Sequence, residues 1–187
     1  MTAPERVSDG ATTLRRISAA DAPAIARAVR ESLDHLAAWM PWAGAASATE
    51  SFQRERLGPI AVAYDDNSAT WEFAICERAA TAEGGETETL VGLCGITVRD
   101  DGRREIGYWV HIDHTRRGHA SRAAAMLTQM WRERRSEARI EIRCDAANRA
   151  SAAIPKQLGY QLEGVIDVKP EARSETGKLM VWSLTRG

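Results

Sequence analysis

Apolar residues recur along this chain with two different spacings, and the change between them is sharpest near the middle. Residues 105–112 are rich in β-branched and aromatic side chains, a composition typical of a strand. Between Ala120 and Trp131, apolar residues recur every three or four positions, which predicts one face of a helix. The pattern predicts a central strand that passes through a turn at residues 113–120 into a long helix, which we expect to end near Ser136.

The same analysis divides the rest of the chain into strands, helices and loops. Further strands are predicted at residues 12–17, 71–76, 90–98, 139–144, 160–168 and 178–184. Helices are predicted at residues 22–33, 49–66 and 148–158, with Asp21 capping the first and Gly159 closing the last. Loops are predicted at residues 79–88 and 169–177, a tight hairpin turn at 100–102, and a short helical turn with a loop at 36–43.

This order of elements predicts an α/β fold, with a mixed sheet and helices on both faces. A length of 187 residues, 44% of them hydrophobic and 27% charged, is typical of one folded domain rather than of a disordered or membrane-embedded chain. We therefore expect a single domain over residues 1–187, in which residues 1–11 form a polar leader.

Charge, targeting signals and cysteines narrow the classes of function. A net charge of -1 gives no general attraction for nucleic acid or for a membrane surface, and no apolar run is long enough to span a membrane. Cys76, Cys94 and Cys144 are far apart and lie in apolar strands, so we expect reduced core thiols in a cytoplasmic protein. No cysteine or histidine spacing typical of zinc is present, and no metal is predicted.

The turn before the long helix has the features of an anion-binding site. The first amides of a helix have no partner within the helix, and they lie at the positive end of its dipole. The small residues Gly118, Ala120 and Ser121 would let a phosphate oxygen approach the main chain, and Arg116 and Arg117 add positive charge.

Two sequence motifs resemble those of a known family. Residues 115–120, Thr-Arg-Arg-Gly-His-Ala, resemble the acyl-CoA pyrophosphate loop of the GNAT N-acetyltransferases, in which Gln or Arg is usual where this chain has Thr115. Residues 148–151 and 158–164 resemble the signature of the RimJ/RimL branch of that family. The resemblance implies a mostly antiparallel sheet of about six to seven strands, in which the central strand and the strand beginning near Arg139 splay apart to admit acetyl-CoA.

The resemblance also implies which residues hold the cosubstrate. The pyrophosphate would lie against Arg116, Arg117, Gly118, His119, Ala120 and Ser121, and the main chain of Val110 and Ile112 would pair with the pantetheine arm. In this branch the residue matching Asn148 contacts the pantetheine, and the one matching Ser151 donates a proton to sulfur. Asn148 is equally well placed to cap a helix, and both roles stay open.

The base that accepts the amine proton is less clearly marked. Glu105, on the opposite side of the central strand from Ile106, could accept it directly or through water, or could be a solvent-facing carboxylate. Glu163, Asp167 and Glu171 are lesser candidates. The amine could also arrive in its neutral form, with no dedicated base.

Six tryptophans are the main clue to the acceptor. Trp39 and Trp42 flank Pro41 in a predicted loop, where aromatic rings could line an acceptor pocket or pack in the core. Trp71 and Trp109 are predicted as core or pocket wall, and Trp131 and Trp182 as core.

The sequence thus predicts an acetyl-CoA-dependent N-acetyltransferase acting on a primary α-amine, of a protein or peptide N-terminus or of a small aminoacyl compound. The alternatives are an enzyme that detoxifies aminoacyl-nucleotide antibiotics of the microcin C type and, from another class, a non-catalytic acyl-CoA-binding sensor. Nucleic acid is not expected as a partner, because Glu133, Glu137 and Glu141 interleave with the arginines between residues 132 and 143. A membrane is not expected either, because the net charge is only -1 and no apolar run is long enough to span one. Whether the chain forms a homodimer is left open.

Overall fold

The computed structural model describes residues 3–62, 64, 70–80, 84–133 and 139–185. Within these ranges the chain forms one eight-stranded sheet. Its strands are β1 (Arg6–Ser8), β2 (Thr12–Arg16), β3 (Trp71–Ala80), β4 (Glu86–Val98), β5 (Arg104–Val110), β6 (Ile140–Asp145), β7 (Gln161–Asp167) and β8 (Lys178–Leu184). The α-helices are α1 (Ala22–Glu31), α2 (Leu33–Ala37), α3 (Glu50–Val62), α4 (His119–Glu133) and α5 (Arg149–Gln157).

The sheet follows the strand order β1-β2-β3-β4-β5-β6-β8-β7. Every neighbouring pair is antiparallel except β5 and β6, which are parallel. Helix α1 packs against both α3 and β4, whereas α4 contacts β2 through β5 and also α5. The predicted α/β architecture with a mixed, mostly antiparallel sheet is therefore confirmed, with one or two strands more than expected.

The additional strand lies in the stretch expected to be a polar leader. Val7 pairs with Leu14, and the turn between β1 and β2 is held by the Asp9 carboxylate, which accepts the amides of Ala11 and Thr12 at 3.1 and 2.8 Å. Three residues with a single apolar side chain carry no measurable periodicity, so the sequence pattern could not reveal this strand.

Several other boundaries differ from the predictions. Within the expected loop at residues 79–88, β3 continues to Ala80 and β4 begins at Glu86, while residues 81–83 lie outside the described part of the chain. This end of the hairpin carries no large apolar side chain, and the main-chain ladder extends the strands. The predicted helix at 22–33 is interrupted at Ser32, and Pro59 lies inside α3 without ending it. The predicted helix ends at residues 66 and 136 lie outside the described residues.

The core fills the space between the sheet and its helices. Its largest fully buried side chains include Leu14, Ile25, Phe73, Leu93, Leu127 and Ile140, and the predicted core residues Trp131 and Trp182 are buried. All three cysteines are buried free thiols. At Gly92, β4 and β5 approach so closely that a Cβ atom would lie 2.1 Å from the carbonyl oxygen of Trp109. None of the described helices has the length and apolar character needed to cross a membrane.

Candidate functional site

The parallel strands β5 and β6 separate soon after they begin. They pair only at Arg104 with Ile140 and at Glu105 with Glu141, although both strands continue for several residues. Beyond this point in the described chain the two strands diverge and leave a gap in the middle of the sheet. The predicted splay of the central pair is present.

Main-chain groups of β5 face this gap. The amide of His111 donates to the carbonyl of Val91 at 2.7 Å, and residues of an antiparallel strand alternate between facing their partner and facing away. The peptide groups of Tyr108 and Val110 therefore point away from β4 and into the gap. This is the orientation that the predicted contact of Val110 with a pantetheine arm requires.

Ile112 does not fit its predicted role. It follows the end of β5 and begins a short 3-10 turn (Ile112–His114). Its amide donates to the hydroxyl of Ser32 at 3.0 Å, and its carbonyl accepts from both the amide and the hydroxyl of Thr115. Both main-chain groups of Ile112 therefore have partners within the chain, so its pairing with the cosubstrate stays a prediction that this structure does not favour.

The gap opens into a cleft of about 740 Å³, which we call the cofactor cleft. Among the predicted site residues, those that line it are Trp39, Trp109, Val110, Arg116, Gly118, His119, Ala120, Ser121, Asn148 and Ser151. Residues from β5, α2, the start of α4 and the start of α5 thus converge on one space.

The loop before α4 presents free amides to this cleft. Arg116 and Gly118 both adopt positive φ angles, 60° and 84°, and the amide of Arg122 donates to the Gly118 carbonyl as the first bond of the helix. The amides of His119, Ala120 and Ser121 have no acceptor among the described residues. Such unpaired donors at a helix start form a ready site for an anion.

Two side chains of the predicted phosphate loop point elsewhere. The guanidinium of Arg117 contacts Glu77 at 3.3 Å and donates to the Asp113 carbonyl at 2.9 Å, and Arg117 does not line the cleft. The ring of His119 is only 4% exposed and lies between the Thr12 hydroxyl and Glu77. In this structure the side chains of Arg117 and His119 both contact Glu77, and His119 also lines the cleft.

Helix α5 brings a hydroxyl to the other end of the cleft. Asn148 caps the helix by accepting the amide of Ser151 at 3.1 Å, so the capping role holds, while its amide group still borders the cleft. The hydroxyl oxygen of Ser151 lies 3.1 Å from that of Tyr108. Burial raises the pKa of the Tyr108 phenol, so it stays protonated.

Tyr108 was not among the predicted site residues. The alternation of β5 could have indicated it, because Tyr108 shares its side of the strand with Ile106 and Val110. The contact between Tyr108 and Ser151 could not be predicted from the sequence, because it depends on how α5 packs against the sheet.

Glu105 does not present a free carboxylate. Its two oxygens are each 3.0 Å from a nitrogen of Arg99, and this ion pair raises the pKa of the Arg99 guanidinium. Glu163 accepts the hydroxyl of Ser183, Asp167 pairs with Lys178, and none of the three lesser candidates lines a described cavity of the site. Glu105 does line a cavity, but its negative charge is paired there with the guanidinium of Arg99.

A second cavity of about 430 Å³, which we call the aromatic cavity, lies beside the first. Trp42, Trp71 and Trp109 line it, with the Trp42 and Trp109 ring centroids 6.1 Å apart. Trp39 lines the cofactor cleft instead. The two cavities have four lining residues in common, Met40, Tyr108, Trp109 and Ser151.

Comparison with known proteins gives a consistent result. A family model described as an acetyltransferase (GNAT) domain matches residues 12–161. A curated relative, the "Uncharacterized N-acetyltransferase p20" of Bacillus licheniformis, is 29% identical over 103 residues, which is 54% of this chain and 58% of the relative's length.

Solved structures with a similar fold include ribosomal-protein acetyltransferases. The ribosomal-protein-S5-alanine acetyltransferase from Vibrio fischeri has a TM-score of 0.79 at 20% identity, covering 96% of both chains. The microcin C7 self-immunity acetyltransferase MccE, solved with acetyl-CoA and AMP, has a TM-score of 0.81 at 16% identity, covering 99% of this chain and 98% of that one. At these identities the likeness concerns the fold alone.

Proposed function

The chain belongs to the GNAT acetyltransferase family, and from this premise we propose that it transfers the acetyl group of acetyl-CoA to a primary amine. The observation that carries the proposal is the arrangement of the cofactor cleft. At one end lie the amides of His119, Ala120 and Ser121, which have no partner in the described part of the chain, and the Ser151 hydroxyl lies where the cleft meets the aromatic cavity. The amides can bind the diphosphate of acetyl-CoA, and the Ser151 hydroxyl can donate a proton to the sulfur of its thioester.

Acetyl-CoA is held chiefly by the main chain in this proposal. The amides at the start of α4 and the positive end of its dipole bind the diphosphate, and Arg116, which lines the cleft, supplies formal charge. The peptide groups of Tyr108 and Val110 pair with the pantetheine arm in the gap between β5 and β6. The amide group of Asn148 adds a side-chain contact.

Ser151 and Tyr108 handle the protons. The amine attacks the thioester carbon, a C–N bond forms, and the C–S bond breaks as the Ser151 hydroxyl donates its proton to the departing thiolate. The serine regains a proton from the acylated nitrogen, with the Tyr108 hydroxyl 3.1 Å away to pass it on. Because Glu105 is held by Arg99, the amine enters in its neutral form and no dedicated base is required.

The aromatic cavity receives the acceptor. Three tryptophans and few unpaired charges favour an acceptor with an apolar or planar group next to its α-amine, either a peptide N-terminus or a small aminoacyl compound. An aminoacyl nucleotide is the second candidate, because the neighbouring rings of Trp42 and Trp109 could stack on a base. The similar fold of MccE, solved with acetyl-CoA and AMP, supports testing it.

A thiol-release screen tests the proposal. Acetyl-CoA is mixed with the chain and with peptide N-termini, free amino acids, polyamines or aminoacyl sulfamoyl-adenosines. We expect amine-dependent release of CoA with at least one α-amine class. Acetyl-CoA binding by calorimetry without turnover on any acceptor would instead favour the sensor alternative.

A further inference from the structure

Three side chains with metal-binding chemistry meet beside the cofactor loop. Glu77 lies on β3, His114 in the 3-10 turn and His119 at the start of α4, and one ligand atom from each lies within 4.8 Å of the others. Glu77 Oε1 is 3.3 Å from His119 Nε2, and Glu77 Oε2 is 2.9 Å from His114 Nδ1. These side chains, the Glu77–His114–His119 cluster, take no part in the acetyl transfer proposed above.

The spacing of the donor atoms is close to that of a zinc site. Around a tetrahedral Zn²⁺ with metal–ligand distances of about 2.0 to 2.1 Å, neighbouring donor atoms lie roughly 3.3 Å apart. The two carboxylate–imidazole separations, 2.9 Å from Glu77 Oε2 and 3.3 Å from Glu77 Oε1, fall near this value, as for a carboxylate that offers one oxygen toward each histidine. A set of two imidazoles and one carboxylate suits Zn²⁺ and similar divalent ions.

His119 is already held as a metal ligand usually is. Its ring is buried, and its Nδ1 lies 2.9 Å from the hydroxyl of Thr12, which fixes the ring and leaves Nε2 directed at Glu77. Ligating histidines are commonly oriented in this way through their second nitrogen.

His114 provides an independent indication. Its Nδ1 atom is shielded from solvent and lies close to Glu77, yet among the described residues it makes no hydrogen bond of acceptable geometry. Buried nitrogen atoms without a hydrogen bond are rare in folded proteins, and a bound cation would satisfy this one.

Arg117 is the group that competes with a metal ion. Its guanidinium lies 3.3 Å from Glu77, but its side chain is half exposed and can turn into solvent. His111 is adjacent, with its ring centroid 5.6 Å from that of His114, but its Nε2 is engaged by Glu31 at 3.0 Å. A metal ion would replace Arg117, not His111, as the partner of the cluster.

We propose that Glu77, His114 and His119 bind one divalent transition-metal ion such as Zn²⁺, with a further coordination position open to the cofactor cleft that both histidines line. The linear sequence predicts no metal because Glu77 lies far from the two histidines along the chain, and only the packing of α4 and the 3-10 turn near β3 brings the three together.

Calorimetric titration of the untagged, chelator-treated chain with Zn²⁺ alone tests the proposal. We expect saturable binding of one ion per chain, and Co²⁺ should give the visible absorption of a low-coordinate site. His114→Ala and Glu77→Gln should each weaken binding more than about 10-fold. Arg117→Ala should strengthen it by removing the competitor, and Glu55→Gln, at an exposed position on α3, should leave it unchanged.

Two outcomes would overturn the site: no saturable Zn²⁺ binding by the unaltered chain, or equal affinity in the unaltered chain and in a folded His114→Ala variant. Circular dichroism of each variant confirms folding. The titration contains no acetyl-CoA, so an absence of Zn²⁺ binding would not count against the acetyltransferase proposal. An absence of acetyl transfer would likewise not count against the metal site.

Discussion

The hydroxyl oxygens of Tyr108 and Ser151 lie 3.1 Å apart, joining strand β5 to the first turn of α5 where the cofactor cleft meets the aromatic cavity. The Tyr108 hydroxyl also lies 3.3 Å from the Ser151 carbonyl oxygen. This double contact holds the serine hydroxyl at the mouth of both cavities, so the two residues should act as a unit in proton transfer.

Removing either hydroxyl should slow turnover. We expect Ser151→Ala to lower kcat about 100-fold, the lower range for loss of a positioned acid, with little change in the Kd for acetyl-CoA. Tyr108→Phe should have a smaller effect. The double variant should be no slower than Ser151→Ala, because residues that act as a unit are not additive. Thiol-release kinetics measure this, and independent effects that multiply would contradict the shared role.

The backbone at Gly118 should matter for the cosubstrate. Its φ of 84° is unfavourable for any residue with a Cβ, although the nearest side-chain atom to that Cβ would be 3.6 Å away. Gly118→Ala should cost about 1 kcal/mol of stability and raise the KM for acetyl-CoA, because relief of the strain moves the phosphate-binding amides.

Gly102 provides the matched control for Gly118. It has a φ of 82° in the hairpin before β5, with nothing within 4 Å of an added Cβ. Gly102→Ala should lose similar stability in denaturant unfolding while keeping the KM of the unaltered chain. An equal rise in KM for both variants would mean that general strain, not the loop, governs binding.

Substitution of Trp42 should reduce catalytic efficiency with the acceptor without changing the affinity for acetyl-CoA. Trp42 is 45% exposed and lines only the aromatic cavity of the two. Trp42→Ala should lower kcat/KM for the acceptor about 10-fold, as expected for loss of a large apolar contact, and leave the Kd for acetyl-CoA unchanged. Val165→Ala, at a 49% exposed position on β7, is the control. An unchanged acceptor kcat/KM would remove Trp42 from the pocket.

Asp145 should make the free energy of unfolding depend on pH in the acidic range. Burial alone would raise its pKa, but hydrogen bonds from the amide of Ala147, the hydroxyl and amide of Thr176 and the amide of Gly177 hold the pKa of this carboxyl below its usual value. The contribution of a carboxylate with a depressed pKa is present above its unfolded pKa and is lost as pH falls through the folded pKa.

Asp145→Asn should therefore lose about 1 to 3 kcal/mol at neutral pH, and the difference should shrink below about pH 3.8. Denaturant unfolding at several pH values measures this. Asp167→Asn, which removes an exposed ion pair with Lys178, should cost less than about 1 kcal/mol. A difference for Asp145→Asn that persists unchanged at low pH would contradict the explanation.

The parts of the fold that the sequence predicted well are those with long apolar patterns. Strands β4 to β6 and helix α4 bury one or both faces, so their periodicity follows from the core that they enclose. The hairpin end between β3 and β4 and the short strand β1 have main-chain pairing but few large apolar side chains, which leaves little hydrophobic signal.

For the candidate site, the sequence indicated the path of the main chain before α4 better than the directions of the side chains. The turn before α4 follows from Gly118 and the change of period, but the directions of Arg117 and His119 depend on Glu77, which lies on a strand distant in sequence. Likewise, the Ser32 hydroxyl accepts the Ile112 amide across 80 residues of sequence, a contact that no local pattern indicates. The Arg99–Glu105 ion pair, in contrast, crosses the predicted hairpin turn and lies close in sequence.

The central claim is that the amides at the start of α4 hold the diphosphate of acetyl-CoA and aim its thioester through the β5–β6 gap at Ser151. A crystal structure of the chain with acetyl-CoA tests it most directly. We predict phosphate oxygens within hydrogen-bonding distance of the amides of His119, Ala120 or Ser121, and the thioester sulfur beside the Ser151 hydroxyl. Ligand density outside this cleft, or a diphosphate remote from those amides, would contradict it.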